Sequence, residues 1–164
     1  MSDFSLHPER GPILSSTRPP SARRGSPGVQ LSAREHQYRV MEHAFRASGG
    51  IARSDEVTAR LSRRTDQPIS VLARWIVSHD VLSFRWQSRT MLPLFQFDAH
   101  TMTLRPPVVD VIRELVPVLG DWEAALWFAC PNGWLDNAAP VDVIGPDARA
   151  VHQAARADRY LTQS

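Results

Sequence analysis

The sequence has no lysine: all 19 residues of the Lys and Arg count are arginine. A coding preference in a GC-rich genome accounts for that without any functional demand; the alternative cause is the guanidinium's rigid fork of donors. Cysteine occurs once, as Cys130. One cysteine excludes an internal disulfide and a thiolate zinc cage, and it fits a reducing cytoplasm. No apolar run approaches the roughly 20 residues that span a bilayer. The polar, proline-rich N-terminus lacks the apolar segment of a signal peptide. A cytoplasmic protein with no membrane partner is therefore expected. Walker, GxGxxG, GxSxG and HExxH motifs are also missing. Ser78-His79-Asp80 has the residue types of a triad, but neighbours in sequence do not converge on one reacting atom. His36 and His43 share a helical face without a third ligand. The expectation is a protein that is not an enzyme and carries no cofactor and no metal.

What is present is a chain of 164 residues, 43% hydrophobic, long enough for one domain or two small ones. The formal net charge is only +2, but its distribution is uneven. Residues 1–90 hold 14 Arg and 8 acids, whereas residues 91–164 hold 5 Arg and 9 acids. Such a division predicts two surfaces with different partners, the basic one suited to nucleic acid and the acidic one to a basic protein.

Residues 1–30 are rich in Pro, Ser, Gly and Arg and read as a disordered tail. Ser32-Ala33-Arg34-Glu35 has the form of a capping box, followed by Tyr38, Met41 and Phe45 at helical spacing and a stop at Gly49-Gly50. Ser54 is expected to cap a second helix bearing Val57 and Leu61. Pro68 is expected to open a third, with Val71, Leu72, Trp75 and Ile76 inward. Two short helices joined by a polar turn outline a helix-turn-helix. Val81 to Trp86 alternates as a strand, Gln87 to Thr90 turns, and Met91 to Phe97 returns, giving a β-hairpin placed like a wing. Pro106-Pro107 opens a helix that Gly120 stops; Asp121 then caps a helix containing Trp122, Ala125, Leu126 and Phe128. A last helix is expected from Pro146 to about Tyr160, with Val151, Ala154, Ala155 and Leu161 inward.

Between these last helices lies Trp127-Phe128-Ala129-Cys130-Pro131-Asn132-Gly133-Trp134-Leu135, followed by Pro140, Asp142 and Ile144. Aromatic residues close one helix, Pro131 and Asn132 force a corner, and Leu135 docks. Together with the alanines of the last helix, this pattern resembles the toxin-binding domain of the Xre/MbcA/ParS antitoxin family. Asn137 stands where that family commonly has glycine, and asparagine also accepts a left-handed backbone. The resemblance implies a mainly α fold with a small β-hairpin. It divides into a tail (1–30), a helix-turn-helix-like region with a hairpin (31–98) and a compact helical toxin-binding domain (99–164).

The resemblance further implies an antitoxin of a type II toxin–antitoxin pair. Its partner would be a RES-domain toxin that consumes NAD or transfers ADP-ribose, and the antitoxin would cover that toxin's cleft. It would also repress its own operon. The implied toxin-binding residues are Trp134, Asp142, Arg156, Asp158, Arg159, Tyr160 and Leu161. Asp136, Asp142, Asp147 and Asp158 would supply charge toward a basic cleft. Operator DNA would be met by Arg60, Arg63, Arg64, Arg74, Arg85 and Arg89, and readers of this outline commonly act as homodimers. The competing reading is a stand-alone DNA-binding regulator.

Overall fold

The computed structural model describes residues 27–164; most of the expected tail, residues 1–26, lies outside them. The first helix, α1 (Pro27–Phe45), starts five residues before Ser32. Ser32 is therefore an interior helical residue and not a cap, and Glu35 pairs forward with Arg39 at 3.2 Å. Proline suits such a start, because its missing N–H lies among the donors that have no helical partner. Gly49 (φ +107°) and Gly50 (φ +79°) reverse the chain into β1 (Ile51–Arg53). This strand was not expected; three residues are too few to show a period.

Helix α2 (Ser54–Leu61) follows, with Arg53 and not Ser54 at the capping position. The free Arg53 amide donates to Glu56 Oε2 at 2.7 Å. Helix α3 spans Pro68–Val77. The hairpin strands β2 (Phe84–Trp86) and β3 (Arg89–Pro93) are shorter than the alternation suggests. Gln87 (φ +47°) and Ser88 (φ +63°) form a two-residue turn with both residues left-handed, the geometry that matches strand twist. The sheet order is β1-β3-β2, all antiparallel. Helix–strand–helix–helix–hairpin with this order is a winged helix-turn-helix arrangement.

The C-terminal half comprises α4 (Pro106–Leu119), α5 (Asp121–Ala129), the short α6 (Pro140–Val143) and α7 (Ala148–Gln163). Asp121 is the first residue of α5, with Gly120 (φ +79°) at the cap. Asp147 caps α7, accepting from the Ala150 amide at 3.0 Å, two residues after the expected start. The fold is thus mainly helical with a small three-stranded sheet.

The sheet separates two cores. On one face Leu92 and Ala52 join Val57, Leu61, Leu72 and Phe97. On the other, Phe84 and Met91 meet Met41, Phe45, Leu115 and Phe128. This second core combines α1 with α4, α5 and α7, so residues on both sides of position 98 share it. Tyr38 stacks on Trp86 (4.5 Å, 4°), Phe84 meets Trp122 edge-on (5.3 Å), and Phe95 bridges Phe45 and Phe128. The Trp122 indole N–H donates to Gln37 Oε1 at 2.8 Å, and the Arg34 guanidinium lies 4.6 Å from a Trp122 ring centroid. Buried Gln96 is fully used: its amide group donates to Leu82 O and Pro93 O and accepts from Leu82 N at 2.7–2.9 Å.

At Gly49 a Cβ would lie 3.0 Å from Leu94 Cβ, on a backbone that L residues rarely adopt. Gly49→Ala is expected to lower stability by about 1–3 kcal/mol in urea denaturation. Gly133→Ala, with nothing within 4 Å, is expected to stay within about 0.5 kcal/mol.

Candidate functional site

Asn132 makes the corner between α5 and α6. Its backbone amide donates to Ala138 O, and its carbonyl accepts from Leu135 N and Asn137 N, each at 3.0 Å. Its side-chain oxygen accepts from Trp134 N at 2.9 Å. Asp136 (φ +55°) and Asn137 (φ +63°) are both left-handed, so Asn137 adopts the backbone that asparagine tolerates. The corner is then fastened to α7. Asp158 accepts from Trp127 Nε1 (2.7 Å), Asn132 Nδ2 (2.9 Å) and Trp134 Nε1 (2.9 Å). This accounts for Trp127 being half-buried, while Phe128 fills the core.

On α7, Val151, Ala154 and Asp158 follow helical spacing along the docked stripe, and Leu161 continues it. Leu161 is nevertheless 63% exposed. It had been expected inward; its phase is right, but the helix overruns the body it packs against, and nothing covers its last turn. Trp134 (59%) and Tyr160 (73%) are exposed as well. Tyr160 belongs to a separate shallow groove of about 300 Å³, shared with Glu114, Arg156, Arg159 and Gln163.

Glu114 of α4 underlies this groove. It accepts from Arg159 Nη1 at 2.6 Å and lies 3.5 Å from His152 Nε2. Paired with Asp110, Glu114 reads in sequence as a solvated helix residue; it is instead a half-buried anchor for α7. The Arg159 hydrogen bond chiefly holds its carboxyl below the ordinary glutamate range; burial opposes, and Arg159, His152 and Arg156 add attraction.

The expected toxin-binding residues thus occupy different situations. Asp158 and Arg159 are engaged within the chain. Asp142 and Arg156 are exposed, while Trp134, Tyr160 and Leu161 project from the corner and the helix end. Of the acids, Asp147 caps α7, whereas Asp136 and Asp142 face solvent.

The expected DNA-binding arginines form two sets. Arg60, Arg63 and Arg64 rim a cleft of about 640 Å³ next to residues 97–102. Arg74, Arg85 and Arg89 are exposed on α3 and the hairpin. Arg74 is the single basic residue on an α3 face otherwise made of Ile69, Ser70, Ala73 and Val77, with Ile69 and Val77 74% and 79% exposed. Among the described residues no helix is long and apolar enough to cross a membrane, and no group of three His, Cys, Asp or Glu side chains could hold a metal ion. Burial pushes the Cys130 thiol up, which favours its unreactive protonated form. Compared with protein-family models, curated proteins and solved structures, the chain matches none.

Asp158→Ala leaves two indole N–H groups and an amide without their acceptor. A loss of roughly 2–4 kcal/mol is expected in urea denaturation, with Trp127 carrying most of it because water reaches Trp134. Glu114 gives a pH signature. Its carboxyl is lowered in the folded state, so its stabilisation is complete above the unfolded value of about 4.3 and is lost as pH falls through the lowered value. Glu114→Gln is expected to be less stable than the parent at pH 7, and the gap should narrow as pH falls below the ordinary glutamate range, as read from paired denaturation curves.

Proposed function

We propose that this chain is a non-catalytic protein inhibitor: an antitoxin whose C-terminal end blocks the cleft of a RES-type toxin that consumes NAD or transfers ADP-ribose. The observation that carries this reading is the exposed end of α7, where Leu161 and Tyr160 are uncovered, together with the exposed, hydrogen-bonded ring of Trp134 at the corner. The Trp134 ring, already fixed by its hydrogen bond to Asp158, loses little entropy on docking, and exposed Trp and Tyr side chains have the character of interface anchors. Asp136 and Asp142 nearby in sequence remain in solvent, available to steer the surface toward a cleft that attracts a pyrophosphate.

A second reading, repression of its own operon through DNA binding, is favoured by one observation: the helix–strand–helix–helix–hairpin order with strand order β1-β3-β2. The apolar α3 face weighs against direct base reading by that helix, since the common base-edge contacts come from Arg, Lys, Asn and Gln.

Co-expression with the toxin encoded beside the gene tests the first reading. The parent chain is expected to restore growth and to co-purify with the toxin. Leu161→Asp and Tyr160→Asp are each expected to weaken the complex by about 30-fold, the equivalent of roughly 2 kcal/mol. Failure of the parent to form a complex would remove the proposal. A gel shift on the upstream DNA that is lost with added salt would support the second reading instead.

A further inference from the structure

The cleft beside the end of α2 has an unusual lining. Arg60, Arg63 and Arg64 form one rim and His100 another, with Leu94 and Phe97 supplying apolar wall. Like most arginines among the described residues, none of the three cleft arginines is ion-paired to a carboxylate, as Arg39, Arg53, Arg113 and Arg159 are; what sets them apart is that all three border one hollow. Arg64 Nη2 donates to His100 O at 2.5 Å, tying the rims together across 36 residues of chain. The acid at the cleft, Asp98, is engaged by its own loop, one carboxylate oxygen accepting from the His100 and Thr101 amides at 2.9 Å each, and its single charge offsets one of the three guanidiniums. The C-terminal dipole of α2 accounts for some attraction of arginine to this end, but it amounts to roughly half a charge against three guanidiniums. An excess of positive charge remains around a concave, partly apolar space.

We propose that this cleft binds a small phosphorylated molecule with an apolar body, of the nucleoside phosphate class. The guanidinium fork matches phosphoryl oxygens two at a time. The cleft, at about 640 Å³, lies within the roughly 300–1,000 Å³ typical of small-molecule sites, which combine apolar wall with a few convergent polar groups. A duplex presents a convex line of phosphates, whereas arginines gathered around an apolar hollow suit a single phosphate entering end-on. The site is built from α2 and the segment after β3, apart from the end of α7, so its failure would leave the antitoxin reading untouched.

The test is a backbone amide NMR titration of the full chain with adenosine 5′-monophosphate, with inorganic pyrophosphate and adenosine as separate arms. Adenosine monophosphate is expected to shift the Gly49, Ala99 and His100 resonances saturably, and to bind more tightly than either other probe. Arg63→Glu is expected to weaken binding by roughly tenfold or more. Ala99→Trp, which occupies the hollow and leaves every guanidinium in place, should weaken it similarly. The assignment is overturned if no saturable shift occurs, if adenosine alone binds equally well, or if Ala99→Trp leaves binding unchanged. It is also overturned if a short DNA duplex shifts these resonances while adenosine monophosphate does not.

Discussion

The C-terminal half depends on one carboxylate. Asp158 collects N–H groups from the end of α5, from the corner and from the short turn beyond it. Without that acceptor, three donors that lie 24 to 31 residues earlier in the chain have no reason to converge. The small Ala154 and Ala155, both buried, keep α7 close to its neighbours, and Glu114 pins the helix from the other side through Arg159. The consequence is a rigid base from which only the final turn of α7 extends. If this end docks on a partner, as proposed, its base is already in place, and that reduces the entropy lost on association.

The other half is not an independent appendage. Through Tyr38, Gln37 and Arg34, α1 grips the aromatic group around Trp86 and Trp122, while the sheet offers its opposite face to α2 and α3. A force on the hairpin is therefore transmitted to α5 by direct packing.

Local chemistry made much of this architecture legible in the sequence. Pro106 and Gly120 bound α4 where expected, since proline's fixed φ suits a first turn and glycine accepts the positive φ (+79° at Gly120) that ends a helix, whatever the tertiary context. The alternation from Val81 to Trp86 placed Val81 and Phe84 correctly in opposite cores. Asn137 showed its left-handed backbone because few residues tolerate it. What stayed hidden depends on distant partners or on lengths too short for a period. The three residues of β1 carry no pattern. Ser32 looked like a cap, but the helix continues upstream of it. Asp158 read as a charge facing a partner and Glu114 as a solvated one, and only folding brings Trp127 or Arg159 to them. Leu161 had the correct phase, yet phase does not reveal where the supporting body ends.

The proposed function rests on a corner held firm by Asp158 from which the end of α7 is presented to another protein. Hydrogen–deuterium exchange on the free chain and in the presence of the proposed RES-type toxin partner tests this most directly. Residues 132–138 are expected to be protected already in the free chain, and residues 159–163 to gain protection only in the complex. Rapid exchange throughout the corner in the free chain, or new protection confined to α3 and the hairpin, would contradict it.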